Sequence, residues 1–231
     1  MMLDSEFRGS SDSYKVKRKG VKVVGRYEFG PYRILNGSSG IYKEKGSSNF
    51  WTGDAVKEAK FSSNFIFQGV LYDSILVNTA TTSVIAIDEK ESFALRSLFG
   101  WSEAEITRKE VFLVDMVFSD ESTNWTLIMS YTSSGEENTT LPGQVPNGIQ
   151  GKLVNGDTLI EIIPETNWDN GKASSVLKPL EAYLFKINGE TIGAVQVFPI
   201  NKLMVWIKKD LSESLKDVLA TGAVALITKS F

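Results

Sequence analysis

The chain of 231 residues contains neither cysteine nor histidine. Without them it forms no disulfide, no Cys/His zinc site, no Ser–His or Cys–His nucleophile pair and no imidazole pH switch. The missing cysteines do not fix a compartment, since they suit a reducing cytosol and equally a periplasmic protein that needs no bridges. A run of about 18 apolar residues, the length a transmembrane helix needs, is also missing, and the first residues lack the apolar stretch of a signal peptide. Nor is there an excess of positive charge, because 25 Lys and Arg stand against 28 Asp and Glu for a net charge of −3. That balance draws no nucleic acid to the molecule as a whole, so none is expected as a partner.

What the chain does have is an ordinary globular balance, 42% hydrophobic and 23% charged. From Val21 onward Val, Ile, Tyr, Phe and Thr come in short runs separated by Gly, Asn and Ser, which is β texture. In Asn124–Tyr131 the alternation puts Trp125, Leu127, Met129 and Tyr131 on one face. Val111–Phe118 does the same with Phe112, Val114, Met116 and Phe118, leaving Asp115 opposite. Two Asn-Gly pairs, Asn155-Gly156 and Asn188-Gly189, supply the positive φ angles of type I′ hairpin turns. The first predicts pairing of Gln150–Val154 with Thr158–Ile163, the second of Glu181–Ile187 with Thr191–Phe198. Further strands are predicted at Phe61–Phe67, Val70–Val77, Ser83–Ile87 and Leu203–Ile207. Strands this short and dense point to a mainly β fold, an antiparallel β-sandwich or barrel with a C-terminal helix and one or two short helices.

Residues 1–20 show no apolar periodicity and are predicted to be a flexible N-terminal arm, with 21–231 a single β-rich domain. Short helices are expected after Asp88 and Glu91, stopping at Gly100, and after Ser102 and Glu105, each pair having capping-box spacing. Ser133–Gly148, rich in Ser, Gly, Asn, Thr and Pro, reads as a long surface loop. At the end of the chain Asp210 and Glu213 make a third capping box. Leu211, Leu215, Val218, Leu219 and Leu226 then form one stripe of a helix that starts at Leu211 and runs to about Thr228, with Lys216 and Asp217 off the stripe. A break at Thr221-Gly222 into a final strand, Ala223–Ile227, is the alternative. The segment Asp210–Lys229 resembles the close of tubby-like and scramblase domains, in which an apolar C-terminal helix is enclosed by a β-barrel. That resemblance implies a barrel and carries over no functional residue.

With histidine and cysteine absent, catalysis would need paired carboxylates, a Ser–Lys pair or a metal. Glu161 is the candidate acid, sharing a strand face with Leu159 and Ile163, and Glu165 follows beyond Pro164. The ordinary alternative is a carboxylate on the solvent face of an antiparallel strand. Asn167–Gly171 lacks the glycine and glutamate spacing of a calcium loop, and Asn36–Gly40 lacks the lysine and helix of a phosphate loop, so neither metal nor cofactor is expected. Trp51 and Trp168 lie in turn-like sequence, where an exposed indole could stack on a sugar or line an apolar mouth. Lys15, Lys17, Arg18, Lys19 and Lys22 cluster near the start, as a solvated linker or as a tether to an anionic membrane surface. The texture is similar to that of bacterial envelope proteins. The favoured expectation is a nonenzymatic β protein, periplasmic, outer-membrane-tethered or secreted, that binds or scaffolds a protein or small ligand. A lipid or sugar carrier and a carboxylate-based hydrolase are the alternatives.

Overall fold

Alternating apolar residues give a strand one buried face, and here nearly every segment with that pattern joins one sheet. The computed structural model describes residues 3–19, 24, 26–40, 42–48, 55–89, 104–119, 124–133, 150–156, 158–165 and 182–229. A short helix α1 (Ser5–Ser10) leads into β1 (Ser11–Lys15), β2 (Lys17–Lys19), β3 (Arg26–Phe29), β4 (Tyr32–Ser39) and β5 (Lys43–Ser48). The long strands β6 (Ala55–Gln68), β7 (Ile75–Glu89) and β8 (Ala104–Val117) follow, then β9 (Trp125–Ser133), β10 (Gln150–Asn155) and β11 (Thr158–Glu165). Last come β12 (Ala182–Ile187), β13 (Glu190–Gln196), β14 (Met204–Lys208) and the helix α2 (Glu213–Lys229).

The strands form a 14-stranded sheet in the order β1-β14-β13-β12-β11-β10-β9-β8-β7-β6-β4-β3-β2, with β5 added against β6. Neighbours run antiparallel throughout, including the outermost pairs β1–β14 and β2–β3. The two end strands are consecutive in sequence, since only Val16 separates Lys15 from Lys17. A sheet whose first and last strands are joined by one residue has to curve round on itself, and the result is a nearly closed barrel. At the seam the Val16 N–H donates to the Leu203 carbonyl at 3.0 Å.

Inward-facing residues meet in one main cluster that includes Phe65, Phe67, Phe112, Met116, Leu127, Leu153, Ile160 and Phe185. The barrel axis is filled by α2, in which every residue from Asp217 to Thr228 is buried. A helix buried on its whole circumference needs apolar or satisfied groups all round, not one stripe. Ala220, Gly222, Ala223 and Ala225 keep it slim. Its two buried threonines bond within the helix: the Thr221 hydroxyl donates to the Asp217 carbonyl at 2.7 Å and that of Thr228 to the Ala225 carbonyl at 2.8 Å. No helix among the described residues is long and apolar enough to cross a membrane.

Several expectations change. The segment read as an arm is built into the fold, with β1 and β2 hydrogen-bonded at the barrel seam and Phe7 of α1 buried against Ala182 and Ala194. Val70–Ser74 is not strand, because its backbone turns to serve α2, and β7 starts at Ile75. Glu105 and Ile106 lie in β8, so no helix follows Ser102; Asp88 and Glu89 end β7, and the remainder of the helix expected up to Gly100 lies outside the described residues. The loop expected over Ser133–Gly148 is outside them too, apart from Ser133 at the end of β9. The first hairpin pairs Asn155 with Thr158, so Asn155 belongs to β10 rather than to the turn, and Gly156 follows it with a φ of 51°. At the second, Asn188 and Gly189 have φ of 50° and 83°, as a type I′ turn requires. Helix α2 begins at Glu213 with Ser212 rather than Asp210 at its head, the Ser212 hydroxyl accepting from the Leu215 N–H at 3.3 Å. It runs unbroken through Gly222. Asp217, expected to be exposed, is completely buried.

Candidate functional site

Asp217 shows how the barrel holds its plug. Between β6 and β7 the chain turns tightly, and the N–H groups of Val70, Leu71 and Tyr72 point at the Asp217 carboxylate from 2.8, 2.9 and 3.0 Å. Successive N–H groups aimed at one point make an anion nest. Only glycine fits at position 69, because a Cβ there would lie 2.3 Å from the Asp217 Cγ. Burial pushes the Asp217 carboxyl above the usual carboxylate range, while the three backbone bonds pull the other way. The nest is thus filled from within the chain, and its role is to lock the helix.

On the outside, Glu161 lies exposed on β11, where Lys152 of β10 and Lys186 of β12 are its direct cross-strand partners. Opposite charges in register stabilise a sheet, which accounts for the residue without chemistry. Glu161 borders an open depression of about 660 Å³ with Ile128, Leu159, Ile163 and Pro164, and no second acid lines it among the described residues. Glu165 is four residues further along the same strand, about 13 Å at the usual rise per residue, beyond the span of a glycosidase pair. The apolar rim is open to solvent, with Leu159 50% and Ile163 37% exposed. Trp51 and Trp168 lie outside the described residues.

A second groove, of about 470 Å³, opens at the seam and is lined by Lys15, Lys17, Glu28, Arg33 and Gln68 around the β3–β4 hairpin. The hairpin turns at Gly30, whose φ is 52° and where a Cβ would collide with the Tyr14 ring at 2.5 Å. Phe29, Tyr32 and Phe67 pack beneath, with Tyr32 and Phe67 stacked at 6.3 Å between centroids. Cross-strand register brings Lys17 opposite Glu28, Glu28 opposite Arg33 and Arg33 opposite Gln68. The ammonium of Lys19, 2.8 Å from Glu28, together with the nearby Lys17 and Arg33 charges, holds the Glu28 carboxyl below the usual range. The Arg33 Nε donates to the Gln68 Oε1 at 2.6 Å, and the Gln68 Nε2 donates to the Asp73 Oδ1 at 3.2 Å.

Of the groove's residues, sequence reasoning picked out Lys15 and Lys17, as neighbours in a basic run. It missed Arg33 and Gln68, which only the β4–β6 pairing joins. A third hollow lies where α1 crosses the outer face, lined in part by Leu3, Phe7, Leu184 and Lys208. Among the described residues no three Asp or Glu side chains group as a metal ion would need. Comparison of the chain with family models, with curated proteins and with solved structures finds no match in any of the three.

Proposed function

We propose that the chain is a nonenzymatic binding or scaffolding protein of the cell envelope or exterior, one that meets its partner on the outside of the barrel. The observation that carries this reading is the buried helix. Residues Asp217–Thr228 occupy the space in which a β-barrel would otherwise hold a ligand, so recognition falls to the outer face and the seam. Among the described residues Glu161 stands between Lys152 and Lys186 with no second acid lining its depression, which supports the reading as well, since acid–base work needs a partner. A small apolar ligand held in the outer depression is the second reading, favoured by the exposed Leu159 and Ile163 at its rim.

The test is complementation of a deletion in the native host, combined with cell fractionation. Variants that keep the wild-type melting temperature but alter the outside, Leu159→Lys with Ile163→Lys and separately Lys17→Glu with Arg33→Glu, are scored beside Glu161→Gln. Loss of function in either surface pair with Glu161→Gln active is the expected result. A folded Glu161→Gln that fails to complement would overturn the nonenzymatic reading, and recovery of the native protein in the cytosolic fraction would overturn the location.

A further inference from the structure

We propose that the seam groove is a binding site for a phosphate-bearing anion, with Lys15, Lys17 and Arg33 as its charges. The site gives a ligand chemistry to one part of the outer surface and rests on the reading that partners engage there. Among the described residues three cations line one groove against a single carboxylate, and that carboxylate, Glu28, is already bonded to Lys19 at 2.8 Å. Like charges gathered on a solvated surface repel unless something compensates them. In a chain with a net charge of −3, this concentration runs against the overall sign.

The geometry at Arg33 supports the choice of ligand. Its Nε is occupied by Gln68, and Gln68 is itself oriented by Asp73. A guanidinium fixed through Nε has its two terminal nitrogens available as a fork, the arrangement that binds phosphate oxygens in pairs. Gln68 is in this sense a positioning residue. A phosphomonoester carries a charge of about −1.5 to −2 at neutral pH and three acceptor oxygens, which matches three cations beside one partly neutralised acid. A monocarboxylate would leave most of that charge unbalanced. The groove, about 470 Å³, suits a single headgroup-sized moiety.

The phosphate could belong to a soluble monoester or to a lipid headgroup, and the experiment separates the two. The full chain is titrated by calorimetry with glycerol phosphate at about 20 mM salt, where screening is weak. In parallel it is sedimented with phosphatidylcholine vesicles that contain phosphatidic acid, or phosphatidylserine at matched charge. Arg33→Gln should weaken binding roughly tenfold or more, as loss of a charge-assisted pair does. Gln68→Leu, which keeps every cation, should weaken it by a smaller factor, and Lys152→Gln, equal in charge loss but outside the groove, should leave it unchanged. Binding to glycerol phosphate with that ranking supports a soluble ligand; phosphatidic acid binding with the same ranking supports a lipid source.

Equal loss in Lys152→Gln and Arg33→Gln, or no binding to either probe below about 10 mM, which corresponds to only a few kcal/mol, would overturn the site. The nonenzymatic reading fails separately. Release of inorganic phosphate from the monoester would overturn that reading and leave the site standing, whereas absence of binding would remove the site and leave the other outer surfaces.

Discussion

Replacing Asp217 by asparagine tests whether the barrel is locked on its helix by one side chain. The carboxylate accepts three backbone N–H groups, Oδ1 from Val70 and Oδ2 from both Leu71 and Tyr72. An amide of the same shape offers one acceptor oxygen and turns an N–H₂ group toward the remaining donors. One hydrogen bond is lost outright, at about 1 kcal/mol, and a donor left facing a donor in a buried place adds about 1–3 kcal/mol. Relief of the desolvation that raises the Asp217 carboxyl offsets part of this sum, so the net loss is set at about 1–3 kcal/mol. For a chain of this size that is a fall in melting temperature of roughly 2–12 °C.

The pH dependence carries its own sign. Because burial holds the folded-state Asp217 above its ordinary range, the folded protein keeps the proton more readily than the unfolded chain does. That contribution to stability is fully present below the unfolded value, about pH 4, and is lost as pH rises through the folded value. The stability gap between wild type and Asp217→Asn, followed by calorimetric melting from pH 3 to 8, should therefore be widest at acid pH and narrow toward neutrality. A gap that widens with rising pH would show that the three N–H bonds outweigh burial. A melting temperature unchanged within about 1 °C at all pH values would refute the lock itself, since a surface residue behaves that way.

Leu219→Ala, at a fully buried position facing Gly193, should cost about 2–5 kcal/mol by chemical denaturation. Leu215→Ala, only half buried, should cost less than that, and Lys216→Ala, which removes an i,i+3 pair with Glu213, at most about 0.5 kcal/mol. Equal losses at Leu219 and Lys216 would place the helix in the wrong rotation. Gly222→Ala should stabilise by about 0.5–1 kcal/mol, because the added Cβ meets nothing nearer than 3.6 Å and alanine is the better helix former; a loss on denaturation would mean that the barrel grips the helix more tightly there.

The strands with clean alternation were legible because alternation is enforced locally by burial of one face. Phe112, Val114 and Met116 of β8 and Trp125, Leu127 and Met129 of β9 are buried as their spacing predicts. The N-terminal strands were not legible for the same reason reversed. Lys17–Lys19 is exposed along its whole length and Ser11–Lys15 has a single buried residue, so neither has an apolar face to read; both exist because β3 and β14 offer them hydrogen bonds. Pairing of that kind is a tertiary effect that overrides local pattern. Helix α2 was found by its leucines, although Ser212 rather than Asp210 caps it and its stripe was misread. Asp217 looks like a solvent-facing residue in sequence, and nothing in its neighbours announces the turn that satisfies it 145 residues away in the chain.

The same distinction governs the candidate sites. Glu161 was chosen because a carboxylate among apolar residues stands out in a linear reading, but in three dimensions its neighbours across the sheet are Lys152 and Lys186, and the anomaly dissolves into a charge ladder. The seam groove shows the opposite behaviour. Arg33, Gln68 and Asp73 are unremarkable singly, and the basic run at Lys15–Lys19 is of a kind that most often marks a solvated segment. The consecutive pairings of β2 with β3 and of β3 with β4 set Lys17 and Arg33 on either side of Glu28, and β6 supplies the glutamine that orients the arginine. The filled interior and the charged seam follow from one topology: the chain begins and ends its sheet at the same place, and it spends its last 17-residue helix closing the inside. On the outer surface the groove beside the seam gathers cations that a linear reading takes for a solvated run, and an arginine held in place by β6, so a partner for this chain is best sought first at Lys15, Lys17 and Arg33.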